Sequence, residues 1–316
     1  MVPKPKADES AVITHRQEGW WAGLNRPKAE APDITIVGLP YDGAVCYRKG
    51  AAAGPAGIRK VSGEIPPVLE TGELLSDLVV RDDGDLPFGN NFVAAFPKIE
   101  KAIDARAARS FLLTLGGDHS VVIPVHRAFG KRATEEIGLI FVDAHTDLSD
   151  RFDGSLYSHA CPLRRTMETE RFHPDRTVLV GTRCFEKAGL AFIQDHKMKV
   201  YPAYEVAERG MAPVADEIVK RFADLKNVYL SIDIDVLDPA FAPGTGIPDA
   251  GGLSTRDLIT LVRRLHPLPV IGADLVEVAP PLDCSQITCF ASLRIIAEIF
   301  GLVHRRKARH QRFILT

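Results

Sequence analysis

The sequence predicts a single three-layer α/β/α domain built on a parallel sheet of about eight strands, and three observations lead there. Short apolar runs recur from residue 34 to residue 275, each continuous enough to be a strand buried on both faces. Longer segments with apolar residues at helical spacing lie between them. No linker-like break and no internal repeat follows residue 33, so the alternation belongs to one unit.

Residues 1 to 32 come first, with Pro3, Pro5, Pro27 and Pro32, several charges and the Trp20-Trp21 pair. They show no sustained period and are expected to form an N-terminal arm over the domain or a neighbouring subunit. The domain proper is placed at 33 to 316. Its expected strands are ITIVGLP (34 to 40), FLLTL (111 to 115), IGLIFVD (137 to 143), TVLVG (177 to 181), MKVYP (198 to 202), NVYLSID (227 to 233) and PVIGADL (269 to 275). The charged segment DLVVRDDGDLP (77 to 87) adds an edge strand. Helical spacing marks 97 to 110, 213 to 225, 254 to 265 and 287 to 303, and Ser254 three residues before Asp257 reads as a helix start.

Composition bounds the function. With 39 Lys and Arg against 41 Asp and Glu, the formal net charge of −2 argues against a general nucleic-acid or membrane-surface binder. No apolar run approaches the roughly 18 to 20 residues that span a bilayer, and the first residues lack a signal peptide's apolar core, so the expected location is cytoplasmic. The five cysteines, Cys46, Cys161, Cys184, Cys284 and Cys289, have no metal-knuckle spacing. They suit reduced, buried or half-buried thiols without assigned chemistry.

The chemistry lies where strands end. IGLIFVD runs into DAHTD, delivering Asp143, His145 and Asp147; NVYLSID runs into DID, delivering Asp233 and Asp235. In extended chain such alternate residues point to one side, about 6 to 7 Å apart, and one cation or a pair about 3.5 to 4 Å apart fits between them. LGGDHS (115 to 120) adds His119, with Gly116 and Gly117 permitting a tight turn. Taken alone, DxHxD could be a solvated loop with a helix cap. Two histidines and four aspartates come from three strand ends with no Lys or Arg among them, and four carboxylates cannot be buried together without cations. Oxygen-rich ligands with some imidazole and no thiolate favour Mn²⁺ or a similar ion over structural Zn²⁺, and two such ions per subunit are expected.

GGDHS, DAHTD, SIDIDVLDPAFAPGTG and VEVAPPLD occur in that order, and with them the chain resembles the ureohydrolase (arginase/agmatinase) family, most closely its agmatinase members. The resemblance implies that His119, Asp143, Asp147 and Asp233 hold one manganese. Asp143, His145, Asp233 and Asp235 hold the other, so that Asp143 and Asp233 bridge. It implies that Asp147 orients the bridging hydroxide, that His159 in SHACPLRR shuttles protons, and that Glu277 in VEVAP pairs with a substrate guanidinium. It also implies a trimer or hexamer. The implied reaction is attack of a metal-bound hydroxide on the guanidinium carbon of agmatine, giving urea and putrescine.

Charge supports a cationic small-molecule substrate: two Mn²⁺ balance four aspartates, leaving hydroxide and Glu277 at about −2. Arg164 and Arg165 are the nearest cations in sequence, but an adjacent pair cannot face one point, and at least one is expected on the surface. The loop LSDRFDGSLYSHA (148 to 160) carries Asp150 and Asp153 with only Arg151 as a cation, which favours an aminoalkyl tail over a carboxylate tail. Sibling substrates, namely guanidinobutyrate, guanidinopropionate or arginine, remain the alternative. Ala160 and Lys49 depart from the family's frequent Gly and Pro, and neither removes a metal ligand.

Overall fold

The apolar runs pair into one all-parallel sheet of eight strands in the computed structural model, which describes residues 19–89 and 91–314. The strands are β1 (Ile34–Leu39), β2 (Val80–Asp85), β3 (Phe111–Gly116), β4 (Ile137–Val142), β5 (Phe172–Val180), β6 (Lys199–Tyr201), β7 (Val228–Asp233) and β8 (Val270–Val276). Their order across the sheet is β2-β1-β3-β8-β7-β4-β5-β6. The four central strands are therefore β3, β8, β7 and β4, whose carboxyl ends carry every candidate ligand.

Among the described residues nine α-helices accompany them: α1 (Gly54–Val61), α2 (Phe96–Ala107), α3 (Val122–Arg132), α4 (Pro162–Thr166), α5 (Lys187–His196), α6 (Ala203–Arg209), α7 (Met211–Arg221), α8 (Thr255–Arg264) and α9 (Ile287–Ile314). Strand side chains alternate between faces, and neighbouring residues accordingly enter different cores. Leu113, Ile140, Val178 and Leu230 join α1, α7, α8 and α9 on one face. Leu112, Leu139, Leu179 and Tyr229 join α2, α3 and α5 on the other. Each fully buried Leu, Ile or Val contributes about 1.5 to 3 kcal/mol. Ser254 accepts from the Asp257 backbone N–H while the Asp257 carboxylate accepts from that of Ser254, closing a capping box worth about 1 kcal/mol.

The charged edge strand β2 is held by pairing. Asp82 takes two hydrogen bonds from Arg59 of α1, at 2.8 and 3.0 Å, and a third from Trp21 Nε1 at 2.9 Å. Trp21 is buried and packs edge-on against Phe300. Residues 1–18 of the expected arm lie outside the described residues, while 19–32 pack onto this edge, with Asn25 bridging to Val80.

Two expectations are corrected. Helices α1, α3, α4, α5 and α6 come in addition to the four segments of helical spacing, which α2, α7, α8 and α9 match. The expected absence of an apolar stretch of bilayer length meets the helix over Cys284–Arg309, whose best window has a mean hydropathy of 1.6. That window is 67% buried within the domain, as a core helix would be. Lastly, Cys46, Cys184 and Cys284 are exposed rather than buried or half-buried.

Candidate metal centre and active-site cleft

The strand ends turn sharply instead of continuing extended. Asp143 Oδ1 accepts from the His145 backbone N–H at 2.7 Å, and Asp233 Oδ1 accepts from that of Asp235 at 2.8 Å. In each motif the first aspartate caps its own turn with one oxygen and keeps the other for the cleft. This corrects the extended-chain spacing: folding the i, i+2 pair over itself draws the side chains closer than a strand allows. Asp118 performs the same service after β3, capping the turn at His119–Val121 through Ser120. The glycines before it serve close approach rather than an unusual turn, since a Cβ on Gly117 would collide with the Tyr41 carbonyl.

Four side chains converge at His119. Its Nδ1 lies 3.0 Å from Asp147 Oδ2 and 3.1 Å from Oδ2 of both Asp143 and Asp233. Beside it, His145 Nδ1 lies 3.1 Å from Asp235 Oδ2 and 3.5 Å from Asp143 Oδ1. Two sets of donor atoms fall within 4.8 Å of one another, His119 with Asp143 and Asp233, and Asp143 with His145 and Asp235. Asp143 belongs to both. Asp147 and Glu277 stand in the left-handed backbone region, at φ 50° and 62°, a conformation that costs about 1 to 3 kcal/mol in a non-glycine residue and collects at functional positions.

The electrostatics of the cluster are those of a cation site. Burial works to lower the pKa of His119, yet Asp143, Asp147 and Asp233 hold it well above the ordinary histidine value. Desolvation raises Asp233 well above the carboxylate range, and desolvation with the nearby Asp143 charge raises Asp147 to about 7. Both ring nitrogens of His119 and Asp143 Oδ2 are buried without a hydrogen-bond partner. The His119 Nδ1 and carboxylate oxygens facing one point, with no thiolate among them, fit divalent cations of hard to borderline character.

Two further residues flank the cluster. Glu277 is buried; its Oε1 accepts from the His119 backbone N–H at 2.8 Å, and its own N–H donates to the Gly117 carbonyl. A Cβ added at Gly246 would stand 3.7 Å from Glu277 Oε2, so glycine leaves that oxygen approachable. Desolvation, then the Asp118 charge, raises the Glu277 pKa well above the usual range. His159 sits outside both donor sets, with Nδ1 2.7 Å from the Ala44 carbonyl and Phe152 edge-on to its ring. Burial lowers its pKa. The structure thus brings His119, Asp143, His145, Asp147, Asp233 and Asp235 together, ties Glu277 to the His119 backbone, and sets His159 against Ala44 and Cys46.

The arginines nearest in sequence have other partners. Arg165 is buried against Asp150 at 2.6 Å and Glu168 at 2.7 Å, and Arg164 lies over the Phe192 ring. Residues that sequence reasoning missed are Asp118, Ala44 and Cys46. Asp118 could have been found inside GGDHS; the other two come from a loop whose approach to His159 is a tertiary event.

Comparison with known proteins agrees with this geometry. The Arginase family profile matches residues 32–301. The chain belongs to the arginase family. It is 35% identical over 286 residues to guanidinopropionase of Pseudomonas aeruginosa, covering 88% of this chain and 89% of that protein. It is 37% identical over 283 residues to agmatinase of Bacillus subtilis, covering 87% and 93%. In structure it is similar to proclavaminate amidinohydrolase of Streptomyces clavuligerus, with a TM-score of 0.84, 32% identity and coverage of 90% and 97%. The arginase-family match encloses the whole cleft, from Ala44 to Glu277.

Proposed function

We propose that this arginase-family chain is a manganese-dependent amidinohydrolase that converts agmatine to putrescine and urea. The observation that carries the reading is the convergence of His119, Asp143, Asp147 and Asp233 on one point, with Asp143, His145 and Asp235 forming a second set beside it. His119, Asp143, Asp147 and Asp233 would hold one Mn²⁺, and Asp143, His145, Asp233 and Asp235 the other. When bound, the ion pair supplies Lewis-acid activation of water near neutral pH.

The chain's own residues then bind and orient. Glu277 Oε2 pairs with the planar guanidinium, which matches a carboxylate well. Its Oε1, tied to the His119 backbone, fixes where that guanidinium sits relative to the cluster. Asp147 accepts the proton of the attacking water, and His159 takes that proton on its Nε2 lone pair and passes it to the departing amine. The Ala44 carbonyl can only accept, so the neutral His159 ring carries its proton on Nδ1 and keeps a lone pair on Nε2.

Agmatine fits the tail side. Asp150 is paired with Arg165, Arg151 is tied to the Gly154 carbonyl, and Arg48 donates to the Gly246 and Thr245 carbonyls. Asp153 remains as the acid acting on the rim, where its charge raises the Cys46 pKa. An ammonium is better received there than a carboxylate. The similarity to guanidinopropionase favours a second reading, a guanidino acid met by exposed Lys49. Cytoplasmic location and trimeric or hexameric assembly belong to the same proposal; light scattering tests the assembly. Urea release across a panel of guanidino compounds, after Mn²⁺ loading, tests the whole: agmatine is expected to lead, and no urea from any member would overturn the amidinohydrolase reading.

A further inference from the structure

The loop before α1 reaches His159 twice. Ala44 presents its carbonyl to Nδ1 at 2.7 Å, and two residues on, Cys46 Sγ lies 3.5 Å from Nε2. The loop is itself pinned, because the Ala44 N–H donates to Asp118 Oδ2 at 2.9 Å and Asp118 is held by the Ser120 backbone and hydroxyl. With the proton on Nδ1, Nε2 has only a lone pair to offer, so the contact is a thiol S–H donating to nitrogen. Cys46 also stands between the two ends of the cleft, since the charges of Asp153, Glu277 and His145 all act on its thiol. Although Cys46 is exposed, partial desolvation raises its thiol pKa, and the protonated thiol is the donor.

We propose that Cys46 is a positioning residue for His159, its S–H holding the Nε2 lone pair at the substrate channel until that nitrogen takes up the proton it passes to the departing amine. This rests on the amidinohydrolase reading for the reaction but not for the contact. The S–H bond favours the neutral imidazole, as burial does, against the Ala44 carbonyl. Removing the thiol therefore raises the pH at which His159 gains its second proton.

Two measurements decide it, both on the full chain carrying divalent metal. The first is an NMR titration of the His159 ring in Mg²⁺-loaded protein, its signal assigned by loss in His159→Asn. The midpoint is expected to move to higher pH in Cys46→Ala and to return in Cys46→Ser, which restores a donor. The second is urea release with Mn²⁺. Cys46→Ala should lower kcat by about 3- to 10-fold, the scale of one net hydrogen bond, move the acid limb of the kcat profile upward and leave KM nearly unchanged, with Ser rescuing the profile. A His159 midpoint unchanged in Cys46→Ala would overturn the proposal. If no protein releases urea, the functional reading falls while the NMR midpoint still decides the contact.

Discussion

Glu277 and His119 are 158 residues apart, yet the Glu277 carboxylate accepts from the His119 backbone N–H at 2.8 Å. One oxygen of Glu277 thus fastens the loop that delivers a candidate metal ligand, and the other faces the cleft. Fastening needs only an acceptor, while guanidinium pairing needs charge, so the two roles separate by substitution.

Glu277→Gln should keep the bond to His119, because an amide carbonyl accepts equally well. Metal content by elemental analysis is expected to match the wild type. The value of kcat/KM for agmatine should fall at least about 10²-fold, the cost of losing a charge-assisted pair. A fall in metal content would mean that the charge serves the loop rather than the substrate.

Asp233→Asn tests the shared ligand. The Asn oxygen can still cap the turn at Asp235, so the local fold should survive while a charge between the two donor sets is lost. At least one Mn²⁺ per subunit should be lost together with most turnover, and chelation of the wild type should lower its melting temperature, because an ion bound only by the folded state stabilises it. Two tightly held ions in the variant would sink the bridging assignment.

His159 lies outside both donor sets. His159→Asn should therefore retain both metals yet lower kcat by roughly 10²-fold or more, the usual scale for a general acid or base. Atomic absorption alongside the rate measurement separates this outcome from the loss of a ligand.

The site was legible where chemistry coincides with strand ends. DAHTD and DID follow runs so apolar that their strands could hardly lie elsewhere, and parallel pairing then brings β3, β7 and β4 to adjacent or near-adjacent places. Glu277 and His159 needed the family resemblance, since a lone acid or histidine after an apolar run has many uses. Ala44 and Cys46 were not legible as cleft residues: their roles depend on the 41 to 50 loop crossing the end of β3, and no periodicity records that approach. The burial of Arg165 against Asp150 and Glu168 is likewise decided by how α4 packs.

Glu298 of α9 gives a pH signature away from the cleft. It is fully buried, neither carboxylate oxygen has a hydrogen-bond partner, and Arg294 Nη2 is 3.5 Å away. Burial raises its pKa despite the opposing charges of Arg294 and Arg305. A raised folded value means the folded state holds the proton more tightly, so this contribution to stability is full below the ordinary glutamate pKa and is lost as pH rises through the raised value. Glu298→Gln has no such proton to lose. Its melting temperature relative to wild type should rise across that window. A gap that is flat with pH would show that Glu298 is charged in both states.

Substrate choice turns on Asp153, which stands in the left-handed region at φ 47° beside Gly154. Because Asp150 is taken by Arg165, Asp153 is the acid of the 148 to 160 loop whose charge reaches the Cys46 side of the cleft. Arginine would bring an α-carboxylate to this rim, and an unpaired carboxylate out of water costs several kcal/mol, whereas an ammonium can be met by Asp153, carbonyls and water. Agmatine is expected to exceed arginine by at least about 10²-fold in kcat/KM, equivalent to about 2.7 kcal/mol of differential transition-state binding. Asp153→Asn should lower kcat/KM for agmatine by about 10-fold, mostly through KM, because the tail is held equally in ground and transition states. The same substitution should leave 4-guanidinobutyrate unchanged or improved, since it removes a repulsion. Steady-state kinetics with the three compounds, run on wild type and variant at one Mn²⁺ concentration, check all three statements. Comparable turnover of agmatine and 4-guanidinobutyrate by the wild type would transfer the assignment to a guanidino acid and leave the amidinohydrolase chemistry standing.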